Sequence, residues 1–226
     1  MSAMPEPQNR IEPRADSMPP VSVVVGGVGR GGLASSFRVA IAGVLRTVAT
    51  QRNMKVHVLS GLMVMIVGMA LPLELGVRVA LLFSVSIVLF AEILNTALEA
   101  LIDLFVTDFH RLAMLAKDAA AGGVLVFAVT TVLVLADILF TEWHLVRDNL
   151  DAVARSCLFG IPLVVVEAAG LFVVRRPRLQ AARLVVSGLL LAPLLVHSTD
   201  PIFAIVAVVF VVMAASARLQ HLPRAA

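Results

Sequence analysis

Three carboxylates and a carboxamide interrupt the apolar run "FAEILNTALEALIDLF" (90–105): Glu92, Asn95, Glu99 and Asp103. Carboxylates and carboxamides are hard oxygen ligands, and a carboxylate can also take a proton from an attacking hydroxyl. Successive helical residues turn by about 100°, so the four positions fall at relative angles of about 0°, 300°, 340° and 20°. They form one stripe, inside an arc of about 80°. Aligned carboxylates repel one another unless something cationic shares their site, and no Lys or Arg lies in the same run. The stripe therefore predicts a bound divalent cation, with Mg²⁺ the natural hard ion. A second polar pair, Lys117 and Asp118, opens the next apolar run in "AKDAAAGGVLV" (116–126). Lys offers phosphate a point charge, and Asp at a helix start complements the helix dipole. The small residues that follow, Ala119 to Gly123, permit close helix packing.

The elements that must position these groups are membrane helices. Of the 226 residues, 60% are hydrophobic and 15% charged, with a mean hydropathy of +0.98. Soluble domains average about 45–50% apolar and about 25% charged. A net charge of +3 is too small for a nucleic-acid surface, so nucleic acid is not an expected partner. The single cysteine, Cys157, cannot form an internal disulfide and reads as a small buried side chain.

Residues 1–34 are rich in Pro, Gly and Arg, lack apolar periodicity, and read as a disordered cytoplasmic tail. Its "GGVGRGG" lacks the Gly-Lys-Ser/Thr ending of a phosphate loop and reads as a linker. Residues 35–55 set Phe37, Ile41, Val44, Leu45 and Val48 at helical spacing, with Arg38, Arg46, Arg52 and Lys55 on other faces. That pattern predicts an amphipathic helix on the membrane surface. Apolar runs long enough to cross, or nearly so, follow at about 56–73, 76–106, 118–140, 156–174, 183–198 and 201–217. "HSTDP" predicts a tight turn between the last two. Basic residues cluster before the first run, between the second and third, in "RRPRLQAAR" between the fourth and fifth, and after the sixth. By the positive-inside tendency those segments and both termini are expected in the cytoplasm, with 141–155 outside and Trp143 an interfacial anchor.

The pattern Glu92-x-x-Asn95-Thr-Ala-x-Glu99-x-x-x-Asp103, followed by Ala116-Lys117-Asp118 and preceded by "QRNMKVH", resembles the prokaryotic diacylglycerol kinase / undecaprenol kinase family. The resemblance covers about residues 35–140, and "RNMKVH" is more similar to the undecaprenol kinase branch. It implies an all-α integral membrane protein of the bacterial inner membrane: a surface helix and a three-helix core, assembled as a homotrimer. It further implies ATP as phosphoryl donor, Mg²⁺ as cofactor and a membrane lipid alcohol as substrate, with nucleotide bound at the cytoplasmic face. Carried over residue by residue, Glu92 is the base, Asn95 orients the hydroxyl and Glu99 holds Mg²⁺. Asp103, Lys117 and Asp118 contact the nucleotide and its phosphates.

This sequence departs from the family at one metal position. Relatives carry a Glu where Gln51 stands, and a carboxamide ligates without charge. The alternative to an active kinase is therefore a weak or silent membrane scaffold derived from the family. An ion carrier would also use buried acids but would show repeated halves, which are not evident. Residues 156–226 lie outside the resemblance and read as an accessory three-helix region, joined to the 35–140 domain by the 141–155 connection. Glu167 is the one interior acid there and is expected to pair with another helix.

Overall fold

The computed structural model describes residues 32–173 and 176–219. Two units divide the chain, Met1–Arg38 and Val39–Ala226. In the first, helix begins at Leu33, after Gly32 accepts a hydrogen bond from the Ser35 amide. The tail expected over 1–34 otherwise lies outside the described residues, as do Arg175 of the basic loop and Arg224.

Eight helices make up the described residues: α1 (Leu33–Thr50), α2 (Arg52–Ala70), α3 (Leu75–Phe105), α4 (Arg111–Thr141), α5 (Trp143–Asp148), α6 (Leu150–Phe172), α7 (Pro177–Val196) and α8 (Pro201–Leu219). No strand occurs among them. Helices α1, α2, α3, α4, α6 and α7 are long and apolar enough to cross a membrane, whereas α8 has a shorter apolar stretch, Pro201–Ala217. The protein is a multi-pass membrane protein. At 31 residues each, α3 and α4 are about 46 Å long against a hydrocarbon core of about 30 Å, so both project beyond it.

Several helices outrun the apolar runs that predict them. α4 starts at Arg111 rather than 118, α7 at Pro177 rather than 183, and much of the expected 141–155 connection is helical in α5 and early α6. Hydropathy registers the part of a helix inside lipid, while hydrogen bonding continues through polar turns on either side. Pro177 opens α7, where a missing amide costs nothing. Pro162 and Pro193 lie inside α6 and α7.

In the second unit, α2 lies at the centre of the packing. Met54, Val58, Leu62, Met65 and Met69 are buried and share one core with Leu81 and Val85 of α3, Leu163 and Leu171 of α6, and Phe203 and Ala207 of α8. The α2–α8 contact depends on two glycines. A Cβ at Gly68 would lie 2.8 Å from the Phe203 ring, and one at Gly61 3.0 Å from Phe210. Both pairs are seven residues apart, so two aromatic knobs of α8 sit against two glycine hollows of α2.

A polar clamp holds the same helices at one end. Thr199, in the turn joining α7 to α8, donates its amide to Met69 O (3.0 Å) and its hydroxyl to Leu71 O (2.9 Å). It thereby partners carbonyls that the last turn of α2 leaves open. Asp200 caps α8 by accepting from the amides of Ile202 (2.7 Å) and Phe203 (3.3 Å), and it also pairs with Arg78 of α3.

Two expectations about single residues change. Arg183, read as part of a basic loop, is a buried α7 residue and the partner of Glu167 at 3.1 Å. Ser187 donates to the other Glu167 oxygen at 2.6 Å. The charge of Arg183 marks a loop in a hydropathy trace, whereas in the fold it neutralises an acid that is 0% exposed. Cys157, expected to be buried, is exposed on the lipid-facing side of α6. An apolar run is uniform in sequence and gives no sign of which face packs.

Candidate active site at the basic end of α3 and α4

Helices α2 and α4 both start toward one end of the unit, with Arg52 and Lys55 in the first turn of α2 and Arg111 and Lys117 in the first two turns of α4. Lys55 Nζ lies 5.7 Å from the centroid of the Phe172 ring, so α6 ends there too. The polar stripe of α3 descends toward this basic end.

Glu92 and Asn95, at its deeper part, are 2% and 4% exposed. Glu99 is half-buried one turn on, and Asp103 is exposed near the end of the helix. The Asn95 amide donates to Glu99 Oε1 at 3.0 Å. Asp103 forms an ion pair with Lys117 of α4, which joins the two sequence motifs in space. Asp118 is exposed on the following residue. Gln51 is the half-buried residue between α1 and α2, and no hydrogen bond or ion pair joins it to Glu99.

The stripe grades from satisfied to unsatisfied with depth. Buried Glu92 Oε2 and Asn95 Oδ1 have no hydrogen-bond partner. An unpaired buried acceptor costs about 1–3 kcal/mol, and two of them lie one helical turn apart. They fit a hydroxyl donor or a cation. At the shallow end the Asp103–Lys117 pair is solvent-exposed, and such pairs contribute only about 0–1 kcal/mol. Lys117 can therefore exchange its carboxylate for a phosphate at little cost.

A cavity of about 370 Å³ lies beside this pair. Asp103, Thr107, Asp108, Phe109, His110 and Lys117 line it. The residues from Thr107 to His110 were absent from the sequence-based site. They occupy the connection between α3 and α4, where no periodicity distinguishes a lining residue from a loop residue. A second, apolar cavity of about 350 Å³ opens along α2 between α3 and α4. It reaches from His57 and Val88, one turn from Glu92, outward to Leu135.

Among the described residues no three His, Cys, Asp or Glu side chains gather to hold a metal by themselves. Mg²⁺ usually keeps several waters and is held by one or two carboxylates together with substrate phosphates. Glu99, with the unpartnered oxygens of Glu92 and Asn95 above it and Lys117 below, fits that mode of binding.

Two buried unpartnered acceptors, an apolar cavity one turn from Glu92 and a cavity of mixed lining beside the Asp103–Lys117 pair thus follow one another along α3 of a membrane protein. Residues 38–139 match the family described as prokaryotic diacylglycerol kinase. The diacylglycerol kinase of Synechocystis is 44% identical over 100 residues, 44% of this chain and 57% of that protein, so the match spans little more than half of its length. The undecaprenol kinase of Bacillus subtilis is 36% identical over 99 residues, 44% of this chain and 80% of its own. The diacylglycerol kinase of Escherichia coli is 30% identical over 82 residues, covering 36% and 67%. No solved structure matches the chain. The chain belongs to the prokaryotic diacylglycerol kinase family.

Proposed function

We propose that the protein is an ATP- and Mg²⁺-dependent kinase that phosphorylates the hydroxyl of a membrane lipid at the cytoplasmic face of a bacterial inner membrane. The observation that carries this reading is the pair of buried, unpartnered acceptors, Glu92 Oε2 and Asn95 Oδ1, aligned with Glu99 and the Asp103–Lys117 pair. Glu92 takes the proton of the lipid hydroxyl as its oxygen bonds to the γ-phosphorus and the bond to the β–γ bridging oxygen breaks. Asn95 accepts from or orients that hydroxyl and, through its amide, fixes Glu99. Mg²⁺, held by Glu99 and more weakly by Gln51, would neutralise phosphate charge. Lys117 leaves Asp103 to bind phosphate, while Asp103 and Asp118 meet the rest of the nucleotide. Transfer of this kind needs little beyond positioning and electrostatic stabilisation.

The basic end, with both termini, lies in the cytoplasm, and α1 lies along the surface rather than across the membrane. A homotrimer would cover α4, in which Val124 is the one buried residue. The test is phosphorylation from radiolabelled ATP by the full chain in mixed micelles, offered diacylglycerol and undecaprenol separately. Label in either lipid supports the reading, and label in neither overturns it. A second reading, a weak or silent scaffold, is favoured by Gln51 and predicts that second result.

A further inference from the structure

The lipid-facing stripe of α2 consists of Val56, Ser60, Met63 and Val67, spaced four, three and four residues apart. Val56 and Met63 are 47% and 54% exposed, in a helix otherwise packed on most sides. This stripe is the floor of two cavities. The first, already described, has α4 as its wall, at Ala128, Thr131, Val132 and Leu135. The second, about 260 Å³, has α6 as its wall, at Val153, Cys157, Gly160 and Val164, and runs out to Ala70. Met63 and Val67 line both. The two are therefore consecutive stretches of one furrow, which begins at the depth of Glu92 and passes from the α4 side of α2 to the α6 side.

The length of this furrow decides what fits it. From Val56 to Ala70 the floor rises about 21 Å, whereas half of a bilayer's hydrocarbon is about 15 Å. A chain with its hydroxyl at Glu92 and its tail in the furrow would cross the midplane. The first stretch is walled by α3 and α4 and the second by α6, so only a chain laid along the α2 stripe meets both. A two-chain glycerolipid ends in its own leaflet and would leave the α6 half to bulk lipid.

We infer that α6, part of the region outside the kinase match, completes a chain-length gauge whose occupant is one long hydrocarbon chain, and that the preferred substrate is a long polyisoprenoid alcohol. This inference rests on the kinase reading for the position of the hydroxyl. The furrow itself is testable without catalysis. Cys157 and Val165 line its α6 half and face outward, Val165 being 60% exposed, so a large side chain at either would plug it without entering the core.

The experiment compares the full chain with Cys157→Trp and Val165→Trp, using undecaprenol, farnesol and dioleoylglycerol. Phosphorylation is read as the ratio of kcat/KM values, and binding as retained lipid in native mass spectrometry. The wild-type chain is expected to prefer undecaprenol to both other lipids. Each Trp variant should lower the undecaprenol-to-farnesol ratio by about fivefold, a modest factor because a displaced tail loses close packing and not its apolar surroundings. Undecaprenol retention should fall with it. A wild-type preference for dioleoylglycerol, or an unchanged ratio and unchanged retention in both variants, overturns the inference. If no lipid is phosphorylated while undecaprenol is retained by the wild type and lost by the variants, the furrow stands and the kinase reading falls.

Discussion

At the residue scale, the acids of α3 divide the chemistry by depth. Glu92→Gln keeps the shape and removes the proton acceptor, so the rate of lipid phosphorylation should fall by about 10²–10⁴-fold. Binding of MgATP, read by equilibrium dialysis, should survive. Glu99→Gln should instead shift the Mg²⁺ titration to higher concentration, because hard cations depend on anionic oxygen. If both variants match the wild type within about twofold, a factor far below ordinary base catalysis, the stripe is structural. Gln51→Glu is the complementary test. Added charge should lower the Mg²⁺ requirement, and an unchanged titration removes position 51 from the metal site. The stripe was legible in the sequence because helical spacing alone puts Glu92, Asn95, Glu99 and Asp103 on one face. The Thr107–His110 contribution was not, since a connection imposes no period. Nor was the partner of Glu167. Arg183 is sixteen residues away across a turn, and only the packed α6–α7 pair brings them to 3.1 Å.

At the element scale, the turn between α7 and α8 acts as the outer clasp of α2 and α3. Burial pushes the Asp200 carboxyl up, but the Arg78 hydrogen bond, the Ile202 and Phe203 amides and the Arg78 charge outweigh it, and its pKa is held below the ordinary value. A carboxylate held low in the fold contributes stability above its unfolded pKa of about 4 and loses it as pH falls through the folded value. Thermal unfolding of the detergent-solubilised protein should therefore occur at lower temperature below about pH 4. Asp200→Asn should melt lower at neutral pH and lose part of this acid sensitivity. Asp200→Ala should melt lower still, since loss of a helix cap costs about 1 kcal/mol more. Equal acid sensitivity in wild type and Asp200→Asn would mean that the clasp does not titrate. "HSTDP" announced a turn through Asp and Pro, and α8 starts at Pro201. That the turn also caps α2 could not be read, because Thr199 and Met69 are 130 residues apart.

For the molecule as a whole, alternating basic segments were enough to propose an orientation, and all-helical membrane architecture followed from composition. The engagement of α6 and α8 with α2 did not follow, because apolar runs carry no label for their partners. With Cys157 replaced by Ala, a single Cys at exposed Arg178 should be labelled by a membrane-impermeant maleimide only after spheroplasts are opened. Labelling of intact spheroplasts would invert the proposed topology. The Thr199 contact also has a consequence for biogenesis. A ribosome releases α2 early, yet the carbonyls of Met69 and Leu71 meet their partner only when the α7–α8 turn arrives, after most of the chain has been inserted. The family-matching helices must wait in the bilayer with α2 uncapped and its glycine hollows empty. Chains interrupted after residue 140 should consequently be cleared faster than complete ones in a pulse–chase experiment, and equal lifetimes would show that α2 matures without its late partners. A shorter lifetime of the interrupted chains would make the last hairpin a signal of completion, marking a finished chain as the one worth keeping.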